Sequence, residues 1–388
     1  MKILFLTFYF KPDLSAGSFR SSSIVEQLSK KGAHVDVITT IPNRYSSFIP
    51  NADLNEKTDK YNVFRVSIPK HKSGMLDQIR SFYFYYKEVL RITKNRNYDI
   101  VFATSSRLFT AFLGARISKK KNLALYLDIR DIFTDSMADI LPNHLSNIIR
   151  PFLNLIEKYT INAASKVNLV SPGFLSFFEE RYKKKYSLFT NGIDDEFINI
   201  SFDSPNKSNN IIKILYAGNI GEGQGLEKIL PNLAIYLKGK AVIRVVGDGS
   251  KINNLKDSIV KQNISNIELS RPLKRSELIE EYINADVLFL HLNEHKCFEK
   301  VLPSKLFEYS ATGKPILAGL SGYSKNFINL EINNCQIFKP GDVNSAIRAL
   351  EKLSIVNINR KKFVKKFSRT NISIEMADDI LSTKEITD

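Results

Sequence analysis

Between Pro303 and Ile316 the chain reads PSKLFEYSATGKPI, and these residue types suit the holding of a phosphorylated ligand. Pro followed by Ser opens a helix well, so the backbone amides around Ser304 and Lys305 should point outward at a diphosphate, with the Lys305 charge added. Glu308 falls one turn further along, on the face of Ser304, where a carboxylate can accept hydrogen bonds from both ribose hydroxyls. Gly313-Lys314-Pro315 then ends the helix and starts a strand. Taken alone, Glu308 reads equally well as a surface glutamate on an ordinary helix.

Two glycine-containing loops add to this. ILYAG runs into Gly218-Asn219-Ile220-Gly221-Glu222-Gly223-Gln224-Gly225 and then a helix from Leu226. Four glycines in eight residues after a strand suit a phosphate cradled on backbone amides. The Lys-Ser/Thr ending of a Walker A loop is missing, and the glycines do not keep the G-x-G-x-x-G spacing of a dinucleotide fingerprint. A tight strand-to-helix turn with no ligand is the plainer alternative. Near the start, ILFLTF leads through Lys11-Pro12-Asp13 to Gly17 and a helix near Phe19, where a small residue lets a substrate approach the backbone.

Metal chemistry finds little support. No Asp-x-Asp occurs anywhere in the chain. His291-Leu292-Asn293-Glu294-His295 matches H-x-x-E-H, with Cys297 close by. That motif needs a continuous helix, whereas here it follows the strand ADVLFL and ends at Pro303, so a loop and no metal are expected. At a strand's carboxyl end His291 is better placed to line a ligand pocket.

The elements that must position these residues follow from the apolar pattern. Runs recur with helical stretches between them, the mark of parallel sheets flanked by helices. Strands are expected at 2–7, 34–39, 63–68, 99–103, 123–128 and 166–170. After the polar, proline-containing 201–211 they resume at 212–217, 241–246, 266–269, 286–290, 315–318 and 335–338. This α/β pattern predicts a first domain over 1–200, a linker over 201–211, a second domain over 212–370 and a helical tail over 371–388. In the basic stretch 360–369, Phe363, Val364 and Phe367 should pack inward while the lysines face water.

A chain of 388 residues with 43% hydrophobic residues can fill two cores. Two cysteines exclude a disulfide framework and suit a reducing cytosol. MKILFLTFYF reads as a first buried strand, since no small-residue cleavage site follows it. No window is long and apolar enough to span a bilayer. The net charge of +16 asks for a partner. Lys57 to Arg96 holds ten Lys and Arg against three Asp and Glu, and includes Phe82-Tyr83-Phe84-Tyr85-Tyr86-Lys87. That mixture suits an anionic lipid surface, would also suit nucleic acid, and is equally the pattern of a helix with rings inward and lysines outward.

PSKLFEYSATGKPIL, together with YAGNIGEGQGLEKIL, the Val246-Gly247-Asp248-Gly249 turn and Thr190-Asn191-Gly192-Ile193-Asp194, resembles the family 4 retaining glycosyltransferases of the GT-B fold. The similarity runs over nearly the whole chain and is greatest to the branch that builds bacterial capsule and O-antigen sugars on a lipid carrier. It includes Asp128-Ile129-Arg130-Asp131-Ile132-Phe133, similar to that branch's acidic-apolar-aromatic segment after the fifth strand.

The resemblance implies two facing Rossmann-like domains with a cleft between them. It implies that Glu308 binds the ribose, that the turn at 303–305 and the Gly221 loop hold the diphosphate, with Gly218 and Gly247 among the substrate-binding residues, and that Gly17 lets the donor sit between the domains. Three positions depart from the family. Its first Glu, eight residues before Glu308, is Lys300 here, with Glu299 as the neighbouring substitute; its Arg and Lys after the second-domain glycine are Asn219 and Gln224. Lys305, with Lys300 as a second candidate, is then expected to supply the charge that the departing diphosphate needs. Asp131 is the candidate to orient the acceptor or act as base, and equally reads as a helix cap.

The activity implied is transfer of a sugar from a nucleotide sugar, with UDP expected, to a polyprenyl-diphosphate-linked acceptor. No cofactor and no nucleic-acid partner are expected, and the location implied is the inner face of a bacterial membrane. The alternatives are a sugar-nucleotide epimerase or hydrolase of the same fold, and a membrane-binding protein on a transferase scaffold without activity.

Overall fold

The computed structural model describes residues 1–45, 50–69, 75–105, 108–132, 134, 143–198, 200–202 and 211–384, without the side chains of 75–78 and 143–147. The chain divides into two compact units, one of residues 1–192 with 369–388 and the other of residues 193–368.

In the first unit the strands are β1 (Lys2–Leu6), β2 (His34–Thr40), β3 (Asn55–Lys57), β4 (Tyr61–Val66), β5 (Ile100–Thr104), β6 (Ala124–Ile129), β7 (Lys166–Leu169) and β8 (Tyr186–Ser187). Its helices are α1 (Ala16–Lys30), α2 (Met75–Thr93), α3 (Leu108–Lys121), α4 (Asn143–Ala163) and α5 (Leu175–Glu179). The sheet order is β3-β4-β2-β1-β5-β6-β7-β8, parallel except where β3 pairs antiparallel with β4. Runs such as KILFL, IVFAT and ALYLDI carry apolar residues on both faces, as a sheet covered by helices on each side requires. The core joins Phe5, Val37, Phe102 and Tyr126 to Ile24 and Leu28 of α1.

The second unit holds β9 (Ile212–Ala217), α6 (Leu226–Tyr236), β10 (Ala241–Val246), α7 (Ile252–Lys261), β11 (Ile267–Ser270), α8 (Arg275–Asn284) and β12 (Val287–His291). It continues with α9 (Ser304–Ala311), β13 (Ile316–Gly319), α10 (Gly322–Glu331), β14 (Cys335–Phe338), α11 (Val343–Lys352) and α12 (Lys361–Lys366). Its six strands run β11-β10-β9-β12-β13-β14, all parallel. The order reverses between β9 and β12, and ligands of open α/β sheets gather beyond the strand ends at such a point. The glycine loop follows β9, and His291 closes β12.

All twelve expected strands are present, shifted by at most two residues at an end. The short β3 and β8 are additions. The expected domain boundaries need correction. The first unit ends at Gly192 rather than 200, and residues 203–210 of the expected linker lie outside the described residues. The expected tail is α13 (Arg369–Leu381), which packs on α1 and places Met376, Ala377 and Ile380 in the first unit's core. In α12 Phe363 is buried, as is Phe367 just after it, with their rings 4.6 Å apart, while Lys361, Lys362, Lys365 and Lys366 are exposed.

The basic and aromatic stretch divides its rings. On α2 Tyr85 is fully buried and donates its hydroxyl to the carbonyl of Ile38 at 2.8 Å, whereas Tyr83 and Phe84 are exposed. Among the described residues no helix is long and apolar enough to cross a membrane.

Candidate functional site

α9 begins at Ser304 after Pro303, whose φ of −66° presets the helix entry, and no side chain caps its first turn. A helix start without a side-chain cap keeps its amides directed at whatever lies in front of it. There Lys305 reaches across to β9. Its ammonium lies 5.5 Å from the centre of the Tyr216 ring and against Gly218, where a Cβ would overlap it. Gly218 has φ +143°, open to glycine and strained for other residues. Gly247, at φ +154°, brings its backbone against the Gly218 carbonyl, again at a spot a Cβ would occupy. Lys305, Gly218 and Gly247, far apart in sequence, thus meet at the ends of β9 and β10.

The loop after Gly218 braces itself. The Asn219 amide donates to Gln224 Oε1 at 2.7 Å, and the Gly221 N–H donates to the same oxygen at 3.3 Å. Tyr216 donates its hydroxyl to the Asn219 carbonyl at 2.5 Å. Asn219 and Gln224 therefore shape the loop and carry no charge. The cation of this corner is Lys305.

His291 supports the loop from below. Its ring is fully buried, with Nδ1 2.6 Å from the Gln224 carbonyl and the Gly341 N–H donating to Nε2 at 2.9 Å. A carbonyl only accepts and an amide only donates, so the ring is the neutral tautomer protonated on Nδ1. Burial pushes its pKa down to about 4, which agrees with that state. This corrects the expectation that His291 lines the ligand pocket, because both nitrogens are spent on backbone groups and the residue positions the loop. His291 ends a strand, and the turn after it is not a continuous helix. Among the described residues no cluster of His, Cys, Asp and Glu could hold a metal.

Glu308 is held from both sides. Arg275 Nη1 donates to Oε1 at 3.0 Å and the Tyr282 hydroxyl donates to Oε2 at 3.2 Å. The same guanidinium reaches Asp194 at 2.7 Å and Glu196 at 2.9 Å, and stacks over Phe197 at 4.5 Å. Burial opposes the Arg275 charge, but Glu308 and Asp194 outweigh it and raise the guanidinium above its ordinary value. A carboxylate offers about four lone-pair sites in all, the chemistry that an acceptor for two vicinal hydroxyls requires. Glu299 is exposed on a 3-10 turn over Lys296–Lys300, with its carbonyl packed on Gly322, while Lys300 is half-buried.

In the first unit Asp128, next to last in β6, forms a buried pair with Arg20, which binds both its oxygens at 2.9 and 3.0 Å. The turn after it exposes Asp131, whose carboxyl is nonetheless pushed up to about 6 by surrounding protein, against the Arg130 guanidinium. Arg130 lies over Gly17, with Nη1 3.6 Å from where a Cβ would stand. That nitrogen is buried without a hydrogen-bond partner among the described residues, and burial lowers the group to about 10. Gly17 belongs to the first turn of α1, which Ser15 caps by accepting from the Ser18 N–H at 3.1 Å. Phe133 lies outside the described residues.

Residues 197–369 match the family model for group 1 glycosyl transferases. The fold of the whole chain is similar to that of HepE from Anabaena, solved with UDP, at TM-score 0.63 and 16% identity over 98% of this chain and 100% of that one. It is also similar to WaaG, a glycosyltransferase involved in lipopolysaccharide biosynthesis, at TM-score 0.65 and 14% identity over 99% and 97%. A trehalose-phosphate synthase of Burkholderia xenovorans gives TM-score 0.70 and 8% identity over 98% and 99%. The chain has the GT-B fold, with its likeness to group 1 glycosyl transferases lying in residues 197–369. A search of curated proteins finds no match.

The grip of Arg275 on Glu308 leads to a specific expectation. Arg275→Met should weaken UDP roughly tenfold, the cost of misplacing a charged hydrogen-bond acceptor, and leave 2′,3′-dideoxy-UDP almost unaffected. Arg275→Lys should recover part of the loss. Calorimetric titration of both nucleotides checks this, and an equal weakening of the two would show that Arg275 does not act through the ribose hydroxyls. Sequence reading missed this arginine because its partners, Asp194, Glu196 and Glu308, are scattered along the chain. The proximity of Arg275 to the acidic segment 194–196 is visible only in the fold.

Proposed function

We propose that the enzyme is a retaining transferase that moves a sugar from a UDP-sugar to a lipid-linked acceptor in bacterial surface-polysaccharide synthesis. The meeting of Lys305 with Gly218 at the start of the helix that carries Glu308 supports this reading most strongly. In it the diphosphate lies on the amides of Ser304 and Lys305 and along the glycine loop, and the ribose on Glu308. Departure of the nucleoside diphosphate develops negative charge, which a fixed ammonium and a helix start stabilise. The acceptor hydroxyl attacks from the leaving group's side, and its proton passes to the diphosphate or to Asp131. Glu299 is the remaining candidate for the donor sugar's hydroxyls.

The first unit takes the acceptor in this reading. Exposed Ile79, Tyr83 and Phe84 on α2, beside exposed Arg80 and Lys87, suit attachment to an anionic membrane face. Incubation with a panel of nucleotide sugars and polyprenyl-diphosphate acceptors tests the proposal, with product mass and anomeric configuration read out. Turnover of the donor without acceptor would indicate an epimerase or hydrolase instead.

Asp131 gives the pH test. As a base it works only when ionised, and its carboxyl is raised from the usual 3.8 towards about 6. kcat should therefore fall as pH drops through a limb that lies above the ordinary carboxylate range and no higher than about 6. Asp131→Asn should lower kcat by roughly a hundredfold and erase that limb. A variant that keeps both rate and limb would remove Asp131 from the chemistry.

A further inference from the structure

α4 carries two different faces side by side. Ile148, Phe152 and Leu155 recur at helical spacing and are 74%, 59% and 66% exposed, an apolar stripe turned away from the buried Leu153 and Ile156. Next to it, Arg150, Glu157 and Lys158 line a cavity of about 300 Å³ whose far wall is Phe177, Arg181 and Tyr182 at and after α5. The volume equals on the order of ten waters, ample for one or two phosphate groups.

The cavity is cationic on balance. Arg150 and Lys158 are exposed at it, and Arg181 is held over the Phe177 ring at 3.7 Å. Among the described residues the lining carboxylate is Glu157, which is buried and takes hydrogen bonds on both oxygens, from the Tyr182 hydroxyl at 2.9 Å and the Thr134 hydroxyl at 3.0 Å, while Glu180 lies 3.9 Å from the Arg181 guanidinium. Glu157 also lines a second, water-sized cavity of about 10 Å³ that includes Asp131 in its wall. One buried side chain therefore borders both the cationic cavity and the turn of the candidate base.

We propose that this cavity holds the phosphate of a lipid-linked acceptor while the stripe of Ile148, Phe152 and Leu155 lies on its hydrocarbon chain in the bilayer. The proposal rests on the acceptor reading above and adds where the carrier binds. Three cations around a pocket fit a phosphate, and an apolar stripe on the same helix fits the chain attached to it; a sugar without a lipid phosphate would use neither.

The test is co-sedimentation of the full chain with phosphatidylcholine vesicles that carry either polyprenyl phosphate or phosphatidylglycerol at matched charge. Lys158→Gln with Arg181→Gln should lower binding to polyprenyl-phosphate vesicles by about a hundredfold or more, since each removes a charge-assisted contact to the phosphate worth roughly tenfold or more, against roughly fivefold apiece for the general pull of any anionic surface. The same pair should change binding to phosphatidylglycerol vesicles much less. Phe152→Ser with Leu155→Ser should lower both by about tenfold or more. UDP binding and thermal unfolding of every variant should match the parent, because both pairs are exposed side chains of the first unit. Equal losses on both lipids would overturn the pocket, leaving a general anionic surface. Unchanged binding, or a stripe that proves to join two copies of the chain in sedimentation velocity, would overturn the site altogether. Absence of UDP binding in the parent protein would instead count against the transferase reading and leave the lipid result standing.

Discussion

Lys305→Glu is expected to abolish UDP binding, and Lys305→Met to weaken it roughly ten- to hundredfold. The neutral variant loses a charge-assisted contact worth about 1.5–3 kcal/mol, and each 1.4 kcal/mol is a factor of ten. The reversed charge adds repulsion at the spot where Gly218 leaves room for the ammonium. Asn219 and Gln224 bond to each other and carry no charge, so neither can compensate. Both substitutions leave the helix start and the loop intact, so thermal unfolding should move little. Titration calorimetry with UDP reads the effect, and undiminished binding by Lys305→Glu would displace the diphosphate from α9.

Arg20→Met should cost about 3–5 kcal/mol of stability. The guanidinium and the Asp128 carboxylate are both almost fully buried, and removing one partner strands the other's charge in a low-dielectric interior. Arg20 also donates to the carbonyls of Thr190 at 2.6 Å and Phe189 at 2.9 Å, and both bonds would be lost too. Asn168 donates to Asp128 at 2.8 Å and alone cannot balance the charge. The measurement is urea unfolding followed by circular dichroism, where an early transition should appear for the first unit. A change under 1 kcal/mol would mean that the pair is replaceable, as some buried pairs are by apolar packing.

The strands were legible because each is a nearly unbroken apolar run, the form a parallel sheet imposes when helices cover both faces. β3, reading NEK, and the two-residue β8 carry no such signal; they sit at sheet edges and are defined by their neighbours' hydrogen bonds. The glycine loop and the helix of Ser304, Lys305 and Glu308 were equally readable, since glycine at positive φ and Pro-Ser at a helix start are local requirements. The role of His291 was not. Its burial and both its partners come from segments 67 and 50 residues away in sequence. The division of the aromatic run on α2 was open for a related reason. Composition specifies which side chains are apolar but not which of Tyr83, Phe84 and Tyr85 finds a neighbour to cover it.

The return of α13 to the first unit bears on how the chain comes into being. Met376, Ala377 and Ile380 fill a core whose other members lie within the first 126 residues. As the polypeptide emerges from the ribosome, that core stays incomplete until the whole of 193–368 has been synthesised. At about 5–20 residues per second the wait is roughly ten to thirty-five seconds. The second unit, continuous in sequence, needs no such wait, so the later-made half is the one free to finish folding first, while Ile24, Leu28 and their neighbours remain uncovered and open to chaperones.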